Sequence, residues 1–269
     1  MPYQIVNQVR FHYELMGKET GQHPLVFIGG HTWDIDSWRP IAEGFVDKHQ
    51  VLLFDNQGVG KTEDDGQPLT AEIMAANIKA LMDSLGLVKP IIISFMMSAA
   101  IAQKLAYDYP AEVSQIIVVG GTMKFNPRAI EICEKLWQLR EANKLDAYSD
   151  LIYDAGFGDE YKRGIDMNAF RDGFMPGIGR SQTINDQRRQ VEVFKTFDSL
   201  PWAHKIRVPA VVITAEEDQF LLLSENEALA NAINAKLFTI ANSGHAVTYE
   251  QPEALKNILI QNILQEKTS

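Results

Sequence analysis

The sequence predicts an α/β fold: a mostly parallel central sheet flanked by helices and interrupted by a helical insertion. Three observations carry that expectation. Short apolar runs alternate with longer amphipathic stretches, the pattern of successive strand–helix–strand units. Two of the runs, IIIS at 91–94 and QIIVV at 115–119, are apolar almost throughout, as strands covered on both faces are. Between residues 123 and 200 the alternation stops, and the chain reads as several helices with no convincing parallel strand.

Taken in order, residues 9–16 (VRFHYELM) alternate as a strand, and 25–28 (LVFI) form a buried strand ending at Gly29-Gly30. Residues 38–48 read as a helix and 51–55 as a strand. Thr70 caps a helix running to Leu87, with Ile73, Met74, Ile78, Leu81, Met82 and Leu85 at helical spacing. A strand at 91–93, a helix at 97–108 and the strand 115–119 follow. The interrupted region holds helices at 128–142, 145–155 and 185–196, with loops at GFGDE and MPGIG. The rhythm resumes with strand 210–214, helix 224–233, strand 236–240 and a closing helix at 252–265. This divides the chain into a core of residues 1–122 and 201–269 and a helical cap of 123–200. Ligands of open α/β sheets bind beyond the carboxyl ends of the strands, where such a cap would enclose a pocket.

At 269 residues, 46% hydrophobic and 22% charged, the chain has the composition of an ordinary globular protein. With 35 acidic against 25 basic residues it carries a formal charge of −10, which repels nucleic-acid phosphates and anionic lipid. Neither nucleic acid nor membrane is expected as a partner; a small molecule is. One cysteine, Cys133, excludes an internal disulfide, and no Cys/His cluster has zinc spacing, so no metal or cofactor is expected. The first residues lack the basic and apolar regions of a signal peptide, and no apolar run is long enough to span a membrane. A cytoplasmic location is expected; the oligomeric state is left open.

The segment from Leu85 to Gly121 resembles the strand–elbow–helix–strand unit of α/β-hydrolases. Ser94-Phe95-Met96-Met97-Ser98 stands at the five positions of small-x-nucleophile-x-small, followed by the small residues Ala99, Ala100 and Ala102. Gly29-Gly30 matches the family's oxyanion loop with its histidine lost, and Asp55 to Gly60 resembles its D-x-R-G-x-G loop. Asp218 follows one late strand and His245 another, in the family's chain order of nucleophile, acid and histidine. The resemblance implies a catalytic triad in which His245 is the general base, Asp218 orients it, and Met96 occupies the nucleophile elbow. It also implies an oxyanion hole made by the N–H groups of His31 and Met97, with Gly30 and Trp33 beside the substrate. Glu216 and Glu217 adjoin Asp218, but the family places its acid at the last position of that run.

Met96 departs from the pattern, and with it the covalent step. A thioether has no proton to surrender, and an acyl-sulfonium would break down at once, so standard acyl-enzyme chemistry cannot pass through it. Ser98 at the elbow would shift the following helix by two residues, and Ser94 would have to leave its strand; whether either substitutes stays open. Cys133 sits on an apolar helical face with Ile130, Ile132 and Leu136 and reads as a core thiol. The side chain of His31 could meet a polar substrate or be an ordinary loop residue, while Trp38 reads as helix packing. Lys61-Thr62 after a glycine loop lacks the spacing of a phosphate loop. Three functions remain: an ester, lactone, thioester or C–C bond hydrolase relative with impaired acyl transfer; a cofactor-free His/Asp general-base enzyme of dioxygenase or lyase type; and a non-catalytic receptor or pseudoenzyme.

Overall fold

The computed structural model describes residues 2–174 and 182–263, so the expected MPGIG loop and the last two residues of the closing helix lie outside the described residues. The strands are β1 (Tyr3–Val6), β2 (Val9–Met16), β3 (Leu25–Ile28), β4 (Val51–Phe54), β5 (Ile91–Phe95), β6 (Gln115–Val119), β7 (Ala210–Ala215) and β8 (Lys236–Ile240). They form one sheet in the order β1-β2-β4-β3-β5-β6-β7-β8. β1 and β2 are antiparallel, β2 joins β4 antiparallel, and every later pairing is parallel. The α/β class and the mostly parallel sheet are therefore as expected.

Helices α1 (Ile35–Ala42), α2 (Ala71–Ser84) and α3 (Ser98–Asp108) connect the first parallel strands. α4 (Pro127–Glu141), α5 (Leu145–Gly156), α6 (Asp159–Gly164), α7 (Met167–Phe174) and α8 (Ile184–Thr196) fall between β6 and β7. α9 (Leu223–Ala232) links β7 to β8, and α10 (Val247–Glu250) and α11 (Pro252–Asn262) close the chain. Capping explains several starts. The Thr70 hydroxyl accepts from the Ile73 N–H at 3.3 Å as its spacing implied, and Asn126 accepts from the Ala129 N–H at 2.8 Å.

Several elements differ in extent from expectation or were not expected. The helix from Thr70 ends at Ser84 and not Leu87, the closing helix ends at Asn262, and α7 was not foreseen. Three others have a local cause. The helix expected at 38–48 starts at Ile35 because Asp34 caps it, and it tightens into a 3-10 turn at Glu43–Phe45. The four-residue β1 was too short to read; Asn7 and Gln8, both at positive φ, turn the chain so that it pairs with β2. The GFGDE segment is half helix, since the Asp159 N–H at the start of α6 finds its acceptor in the distant Glu217.

The parallel strands are buried along nearly their whole length, and the apolar core lies on both faces of the sheet. What places the site is the crossover. β4 lies on one side of β3 and β5 on the other, with Ile28 and Ser94 in register, so the chain reverses its winding direction between β3 and β5. The carboxyl ends of these two strands, Gly29-Gly30-His31 and Met96-Met97, thus open side by side at the switch point.

The inserted helices are tied to the core on two sides. Arg189 on α8 grips the Asp64 carboxylate at 3.0 and 2.8 Å. Gln190 donates to the Gln57 carbonyl at 2.8 Å and Gln182 to the Gly58 carbonyl at 2.5 Å. The loop that resembled the D-x-R-G-x-G motif is therefore a mooring for the cap. Across the cleft, Glu250 accepts from the N–H groups of Gly158 and Gly244, each at 2.9 Å, and Ala246 N–H donates to the Gly156 carbonyl at 2.7 Å. Burial holds the Glu250 carboxyl above the usual carboxylate range, against the pull of those two N–H donors.

Candidate active site

The elbow is a strained turn. Met96 stands between β5 and α3 at φ 53°, a left-handed conformation that costs a non-glycine residue roughly 1–2 kcal/mol. Its N–H is shared between the Val119 and Gly120 carbonyls at 3.1 Å each, which fastens the turn to the end of β6. Thr32, on the other side of the switch point, is also left-handed at φ 66°, unusual for a β-branched residue, and its N–H is held by Gln190 at 3.0 Å. Gly30 fits because no Cβ could: one built there would lie 2.9 Å from the Phe95 ring and 3.0 Å from its carbonyl oxygen. Gly30 does not itself line the cleft.

Asp218 and His245 meet as their order along the chain implied. His245 Nδ1 lies 2.8 Å from Asp218 Oδ2, and Asp218 Oδ1 accepts from the N–H groups of Phe220 and Leu221, each at 2.8 Å. An ionised carboxylate only accepts, so the proton sits on Nδ1 and the lone pair on Nε2. That Nε2 is buried and has no hydrogen-bond partner. The neighbouring acids look elsewhere: Glu216 accepts from the Asn242 N–H and Glu217 from the Asp159 N–H. Two rings sequence reading did not single out hold the imidazole in place, Phe95 at 4.9 Å and Phe220 at 4.8 Å between centroids.

His245 and Met96 both face a cavity of about 100 Å³ beneath the cap. The core contributes His31, Thr32 and Trp33, and Trp33 stacks on Phe95 at 4.3 Å. The cap contributes Ile132, Leu136, Tyr148, Leu151, Ile152 and Phe157, so most of the wall is apolar. Among the described residues, the backbone N–H groups of His31 and Met97 have no hydrogen-bond acceptor. Burial presses the His31 imidazole down to about 4, leaving the side chain neutral.

The other candidates are structural in their contacts. The Ser98 hydroxyl accepts from the Phe95 N–H at 2.9 Å and donates toward the Ile28 or Phe95 carbonyl at 2.8 and 3.0 Å. Ser94 stays in β5 and donates to the Ile117 carbonyl at 3.3 Å. Neither serine lines the cleft. Cys133 is fully buried, its thiol pushed up by that burial, with Sγ 3.7 Å from His31 Nδ1. Trp38 packs in the core and donates to the Ile28 carbonyl at 3.0 Å. No group of three or more His, Cys, Asp or Glu among the described residues could hold a metal ion, and none of the described helices is long and apolar enough to cross a membrane.

Comparison with known proteins gives this geometry its context. Residues 23–252 match the family model described as alpha/beta hydrolase fold. The chain is 25% identical to a pyrrolizixenacetamide deacetylase from Xenorhabdus hominickii, over 97% of each chain. Among solved structures it resembles MGS-M2, an α/β hydrolase from a Medee basin deep-sea metagenome library, with a TM-score of 0.89 at 21% identity over 97% of this chain and 96% of that one. It also resembles the enol-lactonase of Burkholderia xenovorans LB400, with a TM-score of 0.82 at 21% identity over 97% and 98%.

Proposed function

This chain belongs to the α/β-hydrolase fold family, and from that premise we propose that it acts on a small, neutral carbonyl compound by general-base catalysis from His245, without an acyl-enzyme. The observation that carries the reading is the His245 Nε2 atom. It is oriented by Asp218 and buried without a partner, on a residue that lines a cleft together with Met96. The thioether cannot be deprotonated, and the hydroxyls of Ser94 and Ser98 are occupied within the fold.

In the hydrolytic form of the reaction, Nε2 removes a proton from water as its oxygen adds to the carbonyl carbon. Asp218 stabilises the imidazolium so formed. The N–H groups of His31 and Met97 receive the charge that builds on the carbonyl oxygen. As the tetrahedral intermediate collapses, the imidazolium returns the proton to the departing oxygen or nitrogen, and acid and alcohol or amine leave. In the other form, Nε2 takes a proton from carbon next to the carbonyl, and the same two N–H groups hold the enolate. The similarity to a deacetylase supports a substrate whose carbonyl is bonded to nitrogen, and an ester or lactone carbonyl presents the same electrophile to the site.

The test is turnover of small esters, lactones and acetamides by the wild type, His245→Ala and Asp218→Asn, with quenched samples weighed as intact protein. General-base action is worth roughly 10²–10⁴-fold, so His245→Ala should lose that much with no acyl adduct in any sample. Deuterium exchange into a ketone from D₂O separates proton abstraction from hydrolysis. An acyl adduct on the wild type, or turnover indifferent to His245→Ala, would sink the proposal. Ligand binding without turnover, equally indifferent to His245→Ala, would favour a receptor.

A further inference from the structure

The cap side of the cleft holds polar atoms that the general-base reading does not use. His31 Nε2 and Tyr148 Oη belong to residues 3% and 1% exposed, and neither atom has a hydrogen-bond partner. Both side chains line the cavity, one from the loop after β3 and the other from α5. The Gln187 side chain from α8 does not line the cavity but stands behind its wall, next to the Tyr148 phenol, and its Nε2 is likewise buried and unpartnered. A single orphaned polar atom is an irregularity. Three from different elements, two of them on residues that line an otherwise apolar cavity, have a common cost, since each unpaired buried group forfeits a hydrogen bond it had in water.

We propose that His31, Tyr148 and Gln187 form a second polar subsite, which recognises an uncharged oxygen function of the ligand, a carbonyl or carboxamide, apart from the group presented to His245. The proposal rests on the reading above only in taking the cleft as the ligand site. Tyr O–H and the Gln amide are donors suited to a carbonyl oxygen, and the imidazole offers either a donor or an acceptor according to tautomer. None of the three carries charge: burial keeps the imidazole unprotonated, at about 4, and the phenol protonated, at about 12. The nearest cation, Arg140, is directed at the Gln187 Oε1 atom and the Gln182 carbonyl. A carboxylate would therefore shed its hydration without gaining a direct ion pair.

The test is binding of three ring-sized probes, benzamide, benzoate and toluene, measured by calorimetry on the wild type and on Tyr148→Phe and Gln187→Leu. Benzamide should bind more tightly than benzoate, and each substitution should weaken benzamide roughly five- to tenfold while moving toluene less than twofold, the scale of one neutral hydrogen bond. The unliganded Tyr148→Phe chain should melt no lower than the wild type, because the lost hydroxyl bonds to nothing. Benzoate binding tighter than benzamide, equal losses for benzamide and toluene, no benzamide binding at millimolar concentration, or a lowered melting temperature would each overturn the subsite. Repeating the titrations on His245→Ala reads this selectivity without turnover, so a failed general-base mechanism leaves the answer intact.

Discussion

Replacing Met96 by serine should convert this site to acyl-enzyme chemistry. The geometry around position 96 is what the prediction rests on. The elbow backbone already sits at φ 53°, His245 Nε2 is unpartnered and held through Asp218, and the N–H groups of His31 and Met97 have no acceptor among the described residues. In a well-studied serine hydrolase, loss of the nucleophile costs on the order of 10⁶ in turnover while roughly 10³–10⁴ over water survives. A cavity shaped around a thioether should recover part of that, so Met96→Ser is expected to raise kcat/KM for p-nitrophenyl acetate by about 10²–10⁴-fold, or roughly 3–5 kcal/mol of transition-state stabilisation. Met96 is 8% exposed, and the shorter side chain should cost about 1–3 kcal/mol of stability, so folding is verified first by thermal melting. Release of p-nitrophenol should show a burst of one equivalent, and a fluorophosphonate should label the peptide containing position 96. Adding His245→Ala should abolish both. A folded Met96→Ser chain with no gain and no label refutes the reasoning, and labelling of wild-type Ser94 or Ser98 refutes the elbow assignment itself.

Other outcomes follow from the same contacts. Ser98→Ala should lower stability by about 1–3 kcal/mol in urea titrations, because the Phe95 N–H and Ile28 carbonyl lose a buried partner, and the wild type should show no fluorophosphonate label for it to remove. His31 links stability to pH: its folded-state pKa is depressed from 6.5 to about 4, so the unfolded chain binds more protons between those values. Its contribution is full above pH 6.5 and falls by about 3 kcal/mol as the pH drops toward 4, and His31→Asn should flatten melting curves in that window. Burial raises the Asp64 carboxyl, but the Arg189 guanidinium and the Gly66 N–H outweigh it and leave the pKa below the ordinary value. That stability is present above pH about 4 and lost below it, so Asp64→Asn should weaken the protein at neutral pH and shrink its further loss in acid. If the Asp64→Asn and wild-type acid limbs run parallel, the carboxylate is not what moors the cap.

What the sequence made legible were the strand ends. The landmarks Gly29-Gly30, Met96, Asp218 and His245 each follow an apolar run, and parallel strands present their carboxyl ends on one side, so order along the chain implies proximity in space. The cap did not yield to the same logic. In α5, Tyr148, Leu151, Ile152 and Ala155 recur at helical spacing, and that periodicity identifies a covered face without saying whether it covers core or cavity. Nothing in the sequence marks Phe95 or Phe220 as neighbours of His245; the folded chain packs both rings against the imidazole. The left-handed backbone of Met96 and Thr32 was equally hidden, because distant partners at Val119, Gly120 and Gln190 hold it.

That last point bears on why a methionine is tolerated at the elbow. The turn is built by groups other than its side chain: the carbonyls of Val119 and Gly120 hold the Met96 N–H, and the Ser98 hydroxyl joins the ends of β3 and β5. Gly120 itself adopts a left-handed backbone at φ 60° beneath the dyad; a Cβ there would meet the His245 ring and Asp218 only in ordinary contact, at 3.7 and 3.9 Å, but would strain the turn. The left-handed backbone at position 96 is thus a property of the scaffold, paid for by the sheet whether or not a hydroxyl is present. A site whose backbone geometry is independent of the side chain at position 96 keeps His245 in place whatever residue stands there. It follows that Gly120→Ala should impair His245-dependent turnover more than Met96→Ala does, since the first strains the left-handed turn that holds the Met96 N–H beneath the dyad and the second changes only the elbow side chain. Equal losses would mean that the thioether itself takes part in the chemistry.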